Sequence, residues 1–180
     1  MKKNWAWRFL EFSGWHIANK VELPAKSVIC VAPHTSNWDF YYGMLFKKAV
    51  HMEAYFFMKK EWFKFPLDIV MRSLGGIPVD RSKKNSLTDQ MAEEFSKHTI
   101  FNIAITPEGT RKHTKDWKRG FYVIAKKAGV PIVLTYIDFT KREIGYGKIF
   151  HPTDDIEADM LEIKNFYKDF KGKIPENYGG

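Results

Sequence analysis

The alternation of apolar runs with amphipathic stretches along this chain predicts an α/β fold, a single domain with a mixed or mostly parallel central sheet flanked by helices. Three observations carry the prediction. The runs Ser27 to Ala32 (SVICVA) and Val130 to Ile137 are rich in β-branched residues and read as buried strands. Segments with helical spacing lie between such runs, and Pro or Gly marks many of the junctions. At 180 residues the chain suits one domain with its own core.

Residues 4–18 place Trp5, Phe9, Phe12 and Ile17 near helical spacing, among Lys2, Lys3, Arg8 and Lys20. This predicts an amphipathic surface helix whose apolar face buries either in a bilayer or in protein. Its three tryptophans, Trp5, Trp7 and Trp15, favour the bilayer, so residues 1–20 are expected to form a membrane-surface helix ahead of a main domain over residues 21–175.

The strand over Ser27 to Ala32 should end at Pro33, with a helix over Trp38 to Val50 and a second strand over Ala54 to Met58. Residues 60–74 read as a helix interrupted at Pro66, Ile77 to Val79 as a short strand after Gly75-Gly76, and residues 86–98 as a helix. Strands are expected over Ile100 to Ile105 and Val130 to Ile137, with a helix from about Tyr122 to Lys127 ending near Gly129. Ile144 to Phe150 reads as an edge strand, residues 155–170 as a last amphipathic helix, and the tail after Pro175 as loose.

Composition narrows the function. With 29 Lys+Arg against 21 Asp+Glu the formal net charge is +8, which implies an anionic partner: nucleic acid, phospholipid headgroups or a phosphorylated substrate. The single Cys30 excludes an intrachain disulfide and any CxxC metal site and is compatible with a reducing cytosol. The six histidines show no HxxxH spacing, so no metal is expected. No stretch approaches the roughly twenty apolar residues of a membrane span. Arg8 and Glu11 interrupt what would be the apolar part of a secretory signal, so export is not expected.

Two motifs carry the chemistry. In His34-Thr35-Ser36-Asn37-Trp38-Asp39 the His and Asp are five apart, which in an unbroken helix would set them about 140° apart on different faces. They can meet if the chain turns after Pro33 and starts a helix capped near Ser36 or Asn37, with Asp39 in its first turn. An imidazole held by a carboxylate is fixed in one tautomer and becomes a better base. The second motif, Thr106-Pro107-Glu108-Gly109-Thr110-Arg111, follows an apolar strand, and Gly109 permits a sharp turn that leaves Glu108 and Arg111 at the strand's C-terminal end. Gly75 to Arg81 again sets a short strand between glycines and a charged pair, so Arg81 and Arg111 could grip one phosphate through bidentate bonds.

These residues resemble the glycerolipid acyltransferases typified by 1-acylglycerol-3-phosphate acyltransferase, whose four sequence blocks have counterparts here in order: His34 to Asp39, Gly76 to Arg81, Pro107 to Arg111, and Val130 to Val133. The chain departs from the family at Pro33, where Asn is usual, at Thr106, where Phe is usual, and at Leu134-Thr135, where a second Pro is expected. The resemblance implies a glycerol-3-phosphate acyltransferase-like fold and an acyltransferase domain over residues 21–175. It also implies direct transfer of a fatty acyl group from a coenzyme A or acyl carrier protein thioester to a lysolipid hydroxyl, with no further cofactor. In that reaction His34 is the base and Asp39 its partner, while Arg81, Glu108, Gly109, Thr110 and Arg111 bind the acceptor. The expected location is the inner face of the cytoplasmic membrane.

A covalent route through Ser36 or Cys30 has less support, since there is no GxSxG elbow and Cys30 lies in an apolar strand. The run Arg111 to Arg119 reads as a solvated loop that could also hold phosphate. The competing readings are an acyltransferase for an aminolipid or glycolipid, a nucleic-acid-binding protein, and a membrane-binding module without catalysis. No nucleic-acid signature favours the second of these.

Overall fold

The computed structural model describes residues 3–79 and 87–179. Seven strands form one sheet in the order β1-β7-β6-β2-β5-β3-β4: β1 (His16–Ile17), β2 (Lys26–Ala32), β3 (Ala54–Lys59), β4 (Gly76–Val79), β5 (Phe101–Ile105), β6 (Ile132–Asp138) and β7 (Glu143–Phe150). The run from β6 to β4 is parallel throughout; β7 pairs antiparallel with β6, and β1 lies parallel to β7. The expected mostly parallel α/β sheet is therefore present. Every residue of β6 is buried, as a strand covered on both faces requires.

Helices α1 (Trp5–Phe12), α2 (Asn37–Ala49), α3 (Leu67–Ser73), α4 (Leu87–Lys97), α5 (Gly120–Ala128) and α6 (Ile156–Tyr167) complete the fold. Two cores result. Phe121, Ile124 and Ile163 pack one face of the sheet against Val28, Ile103 and Ile132, whereas Leu10, Leu45 and Phe46 pack the other against Ile29, Val133 and Ile137.

The N-terminal helix is shorter than its periodicity suggests. It stops at Phe12 because Gly14, at φ +78°, turns the chain: Trp15 N–H donates to Leu10 O at 2.8 Å and Gly14 N–H to Glu11 O at 2.9 Å, closing the last turn. His16 and Ile17 then form β1, a pair too short to carry a pattern of its own. This covers Glu143 and Ile144, so β7 is not the free edge that its sequence suggested. One face of α1, Ala6 and Leu10, is fully buried in the second core, and another, roughly a third of a turn away, leaves Trp5, Phe9 and Phe12 at 63%, 42% and 91% exposure. Among the described residues no helix is long and apolar enough to cross a membrane.

The segment after α6 is not loose. Gly172 lies so close to Thr35 that a Cβ there would sit 2.5 Å from Thr35 Oγ1. Ile174 N–H donates to that oxygen at 3.2 Å, and Asn177 Nδ2 to Thr35 O at 3.5 Å. These bonds tie residues 172–177 to the loop after β2, which position in the sequence alone could not reveal.

Candidate active site

Two parallel strands bring the motifs together. β2 and β5 are hydrogen-bonded neighbours with Cys30 opposite Ile105, so the loops that follow them emerge side by side. This is the carboxyl end of the sheet, where open α/β folds place their ligands.

The five-residue spacing of His34 and Asp39 has a local cause. Ser36 is the N-cap of α2 and Asp39 its third residue, so the two form a capping box: Ser36 Oγ accepts from Trp38 N–H at 3.3 Å, and Asp39 Oδ2 accepts from Ser36 N–H at 2.8 Å. The same oxygen accepts Thr35 N–H at 2.7 Å and lies 3.1 Å from His34 Nδ1. The cap that starts the helix thus also delivers a carboxylate to the imidazole. Asp39 is 3% exposed, which shields the pair from competing water. With Nδ1 facing a carboxylate, its proton sits there and Nε2 holds the lone pair.

Glu108 reaches the same loop from β5. Its Oε1 accepts His34 N–H at 2.6 Å, and at 2% exposure its carboxylate faces protein. The sequence suggested a residue that positions acceptor, but this geometry makes Glu108 a clasp between the two motifs. Burial raises its carboxyl to about 7, opposed by the His34 N–H and reinforced by the Asp39 charge.

Gly109 has φ +64°, a conformation glycine adopts without strain. The absence of a side chain also lets Lys118 lie across it, since a Cβ there would sit 2.9 Å from Lys118 Cδ. Thr110 Oγ1 accepts Lys112 N–H at 3.2 Å within the turn. Arg111 is exposed and forms no ion pair with a described residue. Arg81 lies outside the described residues.

His34 and Asp39 open onto a cavity of about 540 Å³. One wall is the face of α2 formed by Phe40, Gly43, Met44 and Lys47, which spans about 10 Å of helix. The cavity owes its depth to a split in the sheet: β3 pairs with β5 only through Ala54 and Tyr55, and beyond them Phe56 and Phe57 diverge from Ala104 and Ile105, all four lining the space. Gly43 has nothing within 4 Å of where a Cβ would stand, which keeps the α2 wall open. Lys118 also lines this cavity. The charged run around it reads in sequence as a solvated loop that could also hold phosphate and does not single Lys118 out, and Gly43 gives no sequence signal at all.

The alternative nucleophiles are poorly placed. Cys30 is buried and its thiol is pushed far up by desolvation, while Ser36 Oγ serves the helix cap. Among the described residues no group of three or more His, Cys, Asp or Glu side chains is placed to hold a metal.

Residues 15–138 match the model of the Acyltransferase family. The chain belongs to this family. The span holds His34, Asp39, Glu108, Arg111 and Lys118 and leaves α1 and α6 outside. A similar curated relative is 1-acyl-sn-glycerol-3-phosphate acyltransferase of Streptococcus pneumoniae, 32% identical over 125 residues, or 68% of this chain. The chain spans about half of that relative's length, 46%. The crystal structure of the 1-acyl-sn-glycerophosphate (LPA) acyltransferase PlsC from Thermotoga maritima superimposes with a TM-score of 0.62 at 18% identity, covering 89% of this chain and 73% of that one. The second likeness shows a shared fold, and with it this acyltransferase family member keeps the parallel sheet that sets its two motif loops side by side.

Proposed function

We propose that this protein transfers a fatty acyl group from a thioester to the free hydroxyl of a lysophospholipid such as 1-acylglycerol-3-phosphate. The observation that carries the reading is the His34–Asp39 pair, 3.1 Å apart, in the lining of a largely apolar cavity. The named activity of the relatives agrees with it.

His34 Nε2 takes the proton of the acceptor hydroxyl as its oxygen attacks the thioester carbonyl. Asp39 stabilises the resulting imidazolium. The C–S bond then breaks, an ester remains on the acceptor, and the thiolate leaves with the proton that His34 returns. The acyl chain lies along α2 in the cavity, past Gly43 toward Lys47. Arg111 and Lys118 hold the acceptor's phosphate: Lys118 lines the cavity, and Arg111 is an exposed cation two residues after Gly109, which also lines it.

The chain works at a membrane surface, on the inner face of the cytoplasmic membrane, docked through Trp5, Phe9 and Phe12 of α1. Their exposure beside a face buried in the core supports this docking. Incubating purified protein with a panel of lysophospholipids, aminolipids and glycolipids, with acyl-coenzyme A and acyl carrier protein thioesters, tests the reading. Acylation of a lysophospholipid is expected; acylation of glycolipids or aminolipids alone, or no acyl transfer at all, would overturn it.

A further inference from the structure

A second cavity, of about 440 Å³, lies behind the loop that carries the base. Its walls come from four places: the end of α1 (Ser13), the start of α2 (Trp38, Tyr42), the β6–β7 turn (Phe139, Arg142), and the segment after α6 (Gly172, Lys173). Its chemistry is consistent from wall to wall. Arg142 and Lys173 supply two cations, the lining contains no Asp or Glu, and neither cation forms an ion pair with a described residue. Lys173 Nζ stands 5.7 Å from the Phe139 ring. Beside them Trp38 offers a flat surface at 52% exposure, backed by Tyr42, which stacks on the buried Trp15 with ring centroids 4.2 Å apart.

Paired cations beside aromatic faces suit a ligand that combines phosphate with a planar ring system. The volume falls in the range of small-molecule and cofactor sites, roughly 300 to 1,000 Å³. Position adds the link to catalysis. Trp38 precedes Asp39 in α2, and Gly172 packs against Thr35, whose N–H binds Asp39. The two cavities therefore lie on opposite sides of the loop His34 to Asp39, one apolar and one cationic and aromatic.

We propose that this second cavity binds the nucleotide end of the acyl donor, the phosphorylated adenosine of coenzyme A, while the acyl end enters the first. The inference rests on the acyl-transfer reading for the donor's identity, but the binding site can be tested without turnover.

The probe is coenzyme A itself, titrated calorimetrically into the full chain, with adenosine 3′,5′-bisphosphate and acyl carrier protein as separate arms. Coenzyme A and the bisphosphate should both bind, and Arg142→Gln and Lys173→Glu should each weaken both by at least tenfold. Lys126→Gln, a charge loss on α5, should not. In turnover the two variants should raise KM for acyl-coenzyme A more than they lower kcat. Lys173 is exposed, so its variant keeps the test open should Arg142→Gln fold poorly. Unchanged coenzyme A affinity in folded Lys173→Glu, or binding by acyl carrier protein with none by either nucleotide, would overturn the proposal and leave acyl transfer standing. Nucleotide binding by a parent that transfers no acyl group would leave this site standing and overturn the function.

Discussion

The backbone N–H of His34 donates to Glu108 Oε1 at 2.6 Å, so two motifs 74 residues apart in sequence share one hydrogen bond beside the His34–Asp39 pair. The register of β2 with β5 makes the contact possible, and burial makes it strong. A carboxylate that the sequence places toward substrate instead holds the main chain of His34.

That placement has a pH signature. The Glu108 carboxyl is raised from 4.5 to about 7, so in that interval the folded protein holds a proton that the unfolded chain has released. Its contribution to stability is fully present below about 4.5 and is lost as pH rises through about 7. Gln at this position keeps an acceptor for His34 N–H and never ionises. Glu108→Gln should therefore raise Tm relative to the parent more at pH 8 than at pH 5; calorimetric scans at both pH values check it, and an equal difference would contradict it.

Gly43 lines the apolar cavity on its α2 wall. Leu at this position meets no neighbour at its Cβ and projects into the space along α2. Gly43→Leu should lower kcat/KM for long-chain donors on the order of tenfold or more, with little effect on short chains. Rates with an acyl-chain series measure it.

Arg111 and Lys118 are assigned to the acceptor's phosphate. Removing a charge-assisted bond made equally in ground and transition states raises KM without lowering kcat. Arg111→Ala and Lys118→Ala should each raise KM for 1-acylglycerol-3-phosphate on the order of tenfold or more, and KM for the acyl donor far less. A steady-state study varying each substrate in turn separates the two.

Helix α1 buries Ala6 and Leu10 and exposes Trp5, Phe9 and Phe12, so the proposed docking and the packing can be tested separately. Phe9→Ser and Phe12→Ser should each weaken binding to anionic vesicles on the order of tenfold, since burying one large apolar side chain is worth roughly 1.5–3 kcal/mol. Both residues are exposed, so stability should hardly change. Leu10→Ala should instead destabilise the fold by about 2–5 kcal/mol. Deleting the helix would remove Ala6 and Leu10 from the core and so cannot test docking by itself. Vesicle sedimentation and thermal melts of the point variants distinguish the faces.

Much of this was legible in the sequence because local signals and tertiary demands agree. β6 is buried throughout, β2 and β5 over most of their length, and all three read as largely apolar runs, while the Ser36 to Asp39 cap is written into four consecutive residues. What was not legible depends on long-range contacts. Two residues of β1 carry no period, and their strand exists because β7 offers an edge. Residues 172–177 look like a polar tail until Thr35 is seen beneath them. The direction in which Glu108 points is likewise invisible, since a carboxylate on a turn ordinarily faces water. Trp5, Phe9 and Phe12 share the exposed face of α1 while Ile17, grouped with them by spacing, falls in β1, and periodicity alone does not show that Ala6 and Leu10 are buried on a neighbouring face.

The central claim is that His34, oriented by Asp39, is the base for acyl transfer. Asp39→Asn keeps an oxygen for the capping bonds and removes the charge that fixes the imidazole. Its kcat for acylation of 1-acylglycerol-3-phosphate, measured with the parent under the same saturating donor, is the direct test. The account predicts a fall of about a thousandfold or more with the fold intact; a folded variant that turns over within a few fold of the parent would contradict it.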